Sequence, residues 1–196
     1  MIYTELDVEQ LKDTGCYERL KNLQVFYDYV NNFLSEFDER ENIRCIEACG
    51  ECCKHYLPDL TIVEAEYIAL YLIQTGRVEE FFSRCEKDIN YCPMFNEDSN
   101  YHCSIYPARG LICRLFGSAC TLDKNGRAIK PACRWKDEEK TETIDATDDI
   151  PISSKLGAEL ENINGGNMET EPFNQAVSKA IMKLEMLLAY TGNRAQ

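Results

Sequence analysis

Apolar residues recur along the N-terminal part of the chain with the period of an α-helix. Seven apolar or aromatic positions follow a 4-3-4-3-4-3 spacing, namely Cys16, Leu20, Leu23, Tyr27, Val30, Leu34 and Phe37. This spacing predicts one long helix with a face turned toward a core, and Phe26 and Phe33 widen that face. Because Cys16 lies on the apolar face, we interpret it as a small buried residue rather than a metal ligand.

Two further stretches in the first half of the chain predict helices. Thr61 and Glu64 have the spacing of a capping box, so we expect a helix to begin after Thr61 and to stop near Gly76. Residues 77–88 predict a second, shorter helix. Cys85 lies on the apolar face of that helix and is interpreted as a core residue.

The C-terminal end also has the pattern of an amphipathic helix. Its apolar face comprises Phe173, Val177, Ile181, Leu184 and Leu188. We expect Thr170 to cap this helix, Pro172 to occupy its first turn and Gly192 to end it.

Residues 90–135 lack a strong hydrophobic period. One or two helical turns are expected within 109–116, and a β-hairpin is expected between 121–122 and 128–129 across Asn125-Gly126. A stretch this long without regular structure is unusual in a compact domain unless bonds to a metal order its loops. The predicted fold class is therefore mainly α, with an irregular cysteine-rich metal-binding core and long loops packed between N- and C-terminal amphipathic helices.

Composition divides the chain of 196 residues into three parts. Residues 1–136 are expected to form a helical, cysteine-cluster metal-binding domain. Residues 137–170 are acidic and poor in aromatic side chains, and we interpret them as a mobile acidic linker with a helical turn near 156–163. Residues 171–196 are expected to form a C-terminal helix that packs back on the domain.

Charge and hydropathy narrow the set of partners. A formal net charge of −13 disfavours nucleic acid, whose phosphates are bound by clustered Lys and Arg. The sequence has no run of about 18 apolar residues, so no membrane partner is expected. The N-terminus has neither the basic region nor the apolar stretch of a signal peptide, which predicts a cytoplasmic protein. In a reducing compartment, clustered cysteines favour metal ligation over disulfides.

Four of the eleven cysteines lie within nine residues, and they are Cys45, Cys49, Cys52 and Cys53. Thiolates packed this densely repel one another and need a shared positive partner, usually a metal ion or an iron–sulfur cluster. Cys49-Gly-Glu-Cys52 is a knuckle in which Gly50 is expected to adopt a positive φ. The side chains of the adjacent Cys52 and Cys53 are expected to diverge, which favours two neighbouring sites or a multi-iron cluster over one mononuclear ion.

A second group of cysteines follows in the segments Cys92-Pro and Cys103-Ser-Ile-Tyr106-Pro-Ala-Arg109-Gly110-Leu-Ile-Cys113-Arg114. With Cys49-Gly-Glu-Cys52-Cys53, these segments resemble the CxxCxxCC, or YkgJ-type, cysteine-cluster family, and flagellin lysine-N-methylases carry a similar domain. The resemblance covers roughly residues 45–120 and implies a zinc- or iron-chelating domain. The metal ligands that it implies are Cys49, Cys52, Cys53, Cys92, Cys103 and Cys113, with Cys45 added although its gap to Cys49 is one residue longer than usual.

Four other residues are candidates on chemistry alone. Cys120 is included in the predicted set of metal ligands, and Cys133 stays open as a further one. His55 and His102 each adjoin a predicted ligand, and imidazole suits zinc and iron. We interpret both histidines as polar loop residues rather than as ligands.

Two arginines flank Cys113 in the sequence. Arg109 and Arg114 are predicted to contact the cofactor, because a guanidinium can offset thiolate charge or hold an anionic ligand. The alternative is that both only pair with nearby carboxylates.

These features together favour a cytoplasmic metal-binding protein with a cysteine-ligated iron–sulfur cluster, expected to be 4Fe-4S, or with a zinc or iron site. Two alternatives stay open, and whether the chain is an enzyme is not decided. The resemblance to flagellin methylases allows an S-adenosylmethionine-dependent protein lysine N-methylase-like enzyme, although the sequence offers no recognisable methyl-donor site. The helical ends allow a zinc-stapled module that binds a protein partner.

Overall fold

The computed structural model of the protein describes residues 6–43, 49–86, 91–99, 101–132 and 142–192. The helices in these ranges are α1 (Tyr17–Arg40), α2 (Glu51–Lys54), α3 (Ile62–Gln74), α4 (Val78–Cys85), α5 (Leu111–Leu115), α6 (Ser153–Ile163) and α7 (Phe173–Gly192). Short 3-10 helices occur at Val8–Leu11 and Tyr106–Ala108. The strands are β1 (Asp59–Thr61), β2 (Thr121–Leu122), β3 (Ala128–Ile129), β4 (Thr143–Ile144) and β5 (Thr170–Pro172). The mainly α class, with helices at both ends, is confirmed.

Helix α3 is the centre of the main core, because all ten of its residues at positions 63–72 are buried. Helix α7 packs along α3, and α1 packs against both α3 and α6. The seven positions of the predicted helix face are all buried, six of them on α1 and Cys16 directly before it, so that prediction is confirmed. Burial of a whole helix face removes apolar surface from water, which is the main favourable contribution to folding.

Both ends of α3 follow local rules that the sequence contains. The capping box between Thr61 and Glu64 is present. At the other end, Gly76 has a φ of +66°, and the amide of Arg77 donates to the carbonyl of Leu72 at 2.8 Å. This is a Schellman motif, in which a residue without a Cβ adopts the left-handed conformation at low cost.

A second, smaller core lies beside the three-stranded antiparallel sheet β2-β3-β4. The predicted hairpin between β2 and β3 is confirmed, and Gly126 in its turn has a φ of +79°. The sequence analysis did not anticipate β4, which pairs with β3 through Ala128 and Ile144. Strands of two residues carry too short a pattern to be recognised by period alone.

The interpretation of 137–170 as a mobile linker is corrected for the residues that the structure describes. Residues 142–170 contain β4, α6 and the first residue of β5. Ile150 and Ile152 are buried in the second core, and Leu156 and Leu160 of α6 are buried in the main core. Acidic composition concealed these anchors, since a few apolar residues at the right spacing are enough to dock a short helix.

The start of α7 also differs from the expectation. Thr170 and Pro172 belong to β5, where Thr170 pairs with Thr61 of β1, so neither residue caps the helix or forms its first turn. The helix begins at Phe173, whose amide donates to the carbonyl of Pro58 at 3.0 Å. The apolar face of α7 is confirmed: Phe173, Val177, Ile181 and Leu184 are buried and Leu188 packs against the core.

Among the helices of the described ranges, none combines the length and the apolar character needed to cross a membrane.

Candidate metal centre

The knuckle that contains Cys49, Cys52 and Cys53 leads into α2. The amides of Cys53 and Lys54 both donate to the carbonyl of Gly50, at 2.9 and 3.2 Å, and so close a single helical turn. The expected positive φ at Gly50 is wrong, because its φ is −105°. A different constraint explains the glycine: a Cβ at this position would lie 2.6 Å from His102 Cβ and 2.7 Å from Phe95 Cε2.

This contact places the knuckle directly on the segment 92–105. Within that segment, Phe95 and Cys103 form an antiparallel bridge, which places the chain just after Cys92 beside Cys103. The amide of Ser104 donates to the carbonyl of Met94 at 2.9 Å, and the Met94 side chain is fully buried. The segment is therefore anchored by backbone hydrogen bonds and by an apolar side chain of its own.

Two arginines hold the same segment: Arg77, which directly precedes α4, and Arg84 within α4. Arg84 donates to the carbonyl of Phe95 at 2.9 Å, and Arg77 donates to the carbonyl of Ser104. Glu80 accepts from both, with contacts of 2.8 Å to Arg77 and 2.9 Å to Arg84. The sequence analysis did not identify these three residues, although their i, i+3 and i+4 spacing on one helix face could have suggested it.

Helix α5 carries Cys113 and is positioned by a buried carboxylate. Glu64 Oε1 accepts from the amide of Leu111 at 2.7 Å and from the hydroxyl of Tyr27 at 3.2 Å. Glu64 Oε2 accepts from Thr61 in the capping box. One side chain thus connects α1, α3 and the start of α5, a role beyond the capping that the sequence predicted.

Cys52 and Cys53 shift the pKa of each other. The neighbouring Cys53 thiol lowers the pKa of Cys52 to about 6. The Cys52 thiol, followed by burial and by charge on Cys52, Cys103 and Cys92, raises the pKa of Cys53 far above its usual range. Because each thiol shifts the pKa of the other, the two adjacent side chains lie near each other on the single turn of α2, which differs from the expected divergence.

Three cysteines from the second group lie in the same neighbourhood. Burial raises the pKa of Cys92, and charge on Cys103 and Cys113 raises it further. Burial also raises the pKa of Cys113 to about 12, with additional contributions from Cys103 and Cys52. Each of these sulfurs is close enough to feel the charge of the others. The structure thus brings together a thiol group of five cysteines from three segments, namely Cys52, Cys53, Cys92, Cys103 and Cys113. Cys49 directly precedes Gly50, which joins the knuckle to the loop.

The five thiols do not form a preformed ligand shell. In the described ranges, no group of three or more His, Cys, Asp or Glu side chains has an arrangement ready to hold a metal ion. The donor chemistry nevertheless fits zinc or iron, because both are bound by soft thiolates. Binding would require the thiols that act as ligands to lose their protons.

Arg109 faces this group of thiols. Its guanidinium lies 3.7 Å from the centroid of the Tyr106 ring, which stacks on Tyr101 with centroids 4.2 Å apart. Burial raises the pKa of Cys103 and of Cys113, and the positive charge of Arg109 partly offsets this rise. The position agrees with the predicted contact between Arg109 and a bound cofactor, which the structure does not test.

Arg114 has a different environment, and a cofactor contact is not supported for it. The side chain is buried and donates to the carbonyls of Arg109 and Pro107, at 3.0 and 2.8 Å, and to Asn31 Oδ1 at 2.8 Å. Its guanidinium also lies 3.9 Å from the centroid of the Tyr27 ring. Desolvation lowers its pKa. Arg114 therefore ties the segment before α5 to α1.

Cys120 is not brought to the other thiols. It is fully buried in the second core, and its carbonyl accepts from the amide of Ser153 at 2.9 Å. Burial raises the pKa of Cys120 to about 11, and the charges that act on it belong to Lys130, Glu41 and Asp38 rather than to cysteines. Cys45 and Cys133, the other candidates, lie outside the described residues.

The remaining cysteines and histidines occupy ordinary positions. Cys16 is buried as predicted, and Arg19 donates to its sulfur at 3.2 Å. Cys85 packs against the main core. His55 is half-exposed beside Glu51 at the end of α2. His102 packs on Gly50 and has a positive φ of +50°.

Comparison with known proteins gives one match. Neither the curated proteins nor the solved structures provide a relative of the chain. Residues 44–146, which are more than half of the chain, match the family model described as "CxxCxxCC: Putative zinc- or iron-chelating domain". This range includes the knuckle, the loop 92–105 and α5, the three segments whose thiols converge. The chain belongs to the CxxCxxCC family.

Proposed function

We propose that the chain binds an iron–sulfur cluster through the thiols of three segments, with ligands drawn from Cys49, Cys52, Cys53, Cys92, Cys103 and Cys113. The coarser function, chelation of zinc or iron, comes from the family. The observation that supports the ligand set is the proximity of five of these cysteines, of which Cys92 is buried and the other four are partly buried. A protein interior does not collect unpaired thiols at such density without a positively charged partner.

A cluster is favoured over a purely structural zinc ion because the loop is already ordered by other means. Structural zinc usually stabilises segments that have little core of their own. Here Met94 and Ile105 are fully buried, and Arg77 and Arg84 hold the loop carbonyls. The centre therefore has a role beyond holding the fold together, and electron transfer or metal handling are the roles that a cluster supports.

Elemental analysis of protein purified without oxygen tests this proposal. We expect brown protein with broad visible absorption and with iron and acid-labile sulfide in equal amounts. Colourless protein with stoichiometric zinc and no sulfide would overturn the cluster and leave a zinc centre. Protein that takes up neither iron nor zinc would overturn metal binding as a whole.

Single serine variants test the ligand set. Cys52→Ser and Cys103→Ser are each expected to lose most of the bound metal, because a hydroxyl is a much poorer ligand for soft metals than a thiolate. Cys85→Ser and Cys120→Ser serve as matched controls, since no cysteine charge acts on either residue. These controls should keep the metal content of the parent protein. Loss of metal in Cys120→Ser with a stable fold would return Cys120 to the ligand set.

The methylase and the interaction module stay predictions from the sequence. The first rests on the resemblance to flagellin methylases and the second on the helical ends of the chain. Neither gains a specific contact or distance among the described residues.

A further inference from the structure

Arg109 is set apart from the other arginines around the cysteine segments by its lack of polar partners. Arg77, Arg84 and Arg114 each donate to carbonyl oxygens of neighbouring segments. Within the described residues, the guanidinium of Arg109 forms no hydrogen bond or ion pair, and its Nε is buried without an acceptor. A buried donor without an acceptor costs free energy, so this position requires a reason. The lack of an acceptor is all the more unexpected because the chain has a net charge of −13, so carboxylates that pair with arginine are abundant.

The Arg109 guanidinium is nevertheless held in place by aromatic stacking. It lies 3.7 Å from the Tyr106 ring centroid, and Tyr106 stacks on Tyr101 at 4.2 Å with an interplanar angle of 18°. Stacking fixes the plane of a guanidinium while leaving its N–H groups available at the edge. The stack therefore presents donors without consuming them.

The charge of Arg109 acts on three of the thiols. It lowers the pKa of Cys52, Cys103 and Cys113, which come from three different segments. A set of metal-bound thiolates carries excess negative charge and accepts hydrogen bonds from neighbouring N–H groups. Arg109 lacks a hydrogen-bond acceptor, and metal-bound thiolates need a positive charge nearby. Each group thus supplies what the other lacks.

We propose that Arg109 is a positioning residue of the metal centre, whose guanidinium donates N–H hydrogen bonds to metal-bound sulfur and offsets its negative charge. This inference rests on the proposed metal-binding function. In this proposal Tyr106 holds the plane of the Arg109 guanidinium. Arg114 differs from Arg109 because its N–H groups are already used by backbone carbonyls and by Asn31.

Titration of Co²⁺ into reduced, oxygen-free protein tests the proposal, because the sulfur-to-cobalt charge-transfer band reports on the electron density of the bound thiolates. In Arg109→Gln, we expect Co²⁺ affinity to fall about 10- to 100-fold, as for other residues that support metal ligands. The charge-transfer band should also move to longer wavelength, because a thiolate that loses an N–H donor gives up its electrons more easily. Arg109→Lys keeps the charge but not the planar fork, so its affinity should be intermediate. Arg40→Gln, at an exposed arginine of α1 that pairs with Asp149, is the charge-matched control and should behave as wild type.

Each outcome decides the proposal. Unchanged affinity and band position in Arg109→Gln would overturn it, and so would weaker binding with an unshifted band, which indicates a structural role only. If Arg109→Gln does not fold, Tyr106→Leu tests the proposal instead. Loss of the aromatic stack in Tyr106→Leu should shift the charge-transfer band, whereas Tyr106→Phe keeps the stack and should not shift it. An unshifted band in Tyr106→Leu would overturn the proposal. Failure of the wild-type protein to bind Co²⁺, Zn²⁺ or iron would instead overturn the metal-binding function itself.

Discussion

At the scale of single residues, Gly50 shows how a glycine can be required by proximity rather than by backbone conformation. Its φ of −105° is open to any amino acid, so no left-handed turn demands it. The demand comes from His102 and Phe95, which lie within 3 Å of where a Cβ would be. The contact joins the knuckle to the loop 92–105 and hence one group of thiols to the other.

Gly50→Ala is expected to destabilise the protein by about 1–3 kcal/mol, because the new methyl group overlaps the His102 side chain and forces the knuckle away from the loop. The affinity for the metal should fall together with the stability of the protein. Chemical denaturation of the metal-free and metal-loaded forms measures both effects.

Gly157→Ala is the matched control for this substitution. Gly157 lies inside α6, and nothing stands within 4 Å of its added Cβ. The change should stabilise the protein by about 0.5–1 kcal/mol, since alanine is the better helix former. Equal effects of the two substitutions would contradict a specific contact at Gly50.

At the scale of secondary-structure elements, the buried carboxylate of Glu64 determines how three helices meet. The capping box at the start of α3 uses one of its oxygens, and the other accepts from Leu111 at the start of α5 and from Tyr27 on α1. Helix α5 has only five residues and little intrinsic stability, so its orientation depends on this contact. The position of Cys113 therefore depends on Glu64.

Glu64→Gln should destabilise the protein by about 1–3 kcal/mol, because an amide cannot accept all of the hydrogen bonds that the carboxylate accepts and leaves buried donors unpaired. Thermal or denaturant unfolding measures the loss, and metal titration should show weaker binding through a displaced α5. Glu79→Gln, at an exposed position in the first turn of α4, is the control and should change stability by less than about 0.5 kcal/mol. A fully stable Glu64→Gln would mean that water or rearranged donors replace the carboxylate.

At the scale of the whole molecule, the thiol group lies where α2, the loop 92–105 and α5 meet, beside the helical core. The faces of α1, α3 and α7 bury apolar side chains against one another. Helix α2, by contrast, has no buried residue. The parts of the molecule thus differ in how much they rely on a bound metal.

Removal of the metal by a chelator is expected to loosen the molecule locally. Amide hydrogen exchange should rise most in residues 50–56, less in the loop 92–105, and least in α3, because protection follows the number of buried contacts. The far-UV circular dichroism should stay close to that of the loaded protein. Global loss of helix on chelation would show instead that the metal centre holds the whole fold.

Much of the helical framework was predictable from local pattern. The faces of α1 and α7, the capping box and glycine stop of α3, and the β2-β3 hairpin all follow from spacing and turn chemistry, which are properties of neighbouring residues. The predictions failed where a segment pairs or packs with residues that are far away in the sequence. Thr170 was assigned to a helix cap but pairs with Thr61 in a strand, and residues 142–170 were interpreted as a linker although Ile152 and Leu156 are buried.

Residue order alone is enough to predict that this chain is mainly helical and that its cysteines belong to a metal-chelating family, since helix period and cysteine spacing are patterns along the sequence. Which cysteines lie near one another depends on the fold. It brought Cys113 to Cys52 through Glu64 and buried Cys120 in a separate core. It also gave the two neighbouring arginines opposite environments, with Arg114 bonded to backbone and Arg109 facing the thiols. The physical reason is that burial, charge proximity and hydrogen-bond partners arise from contacts between distant segments, which residue order does not specify.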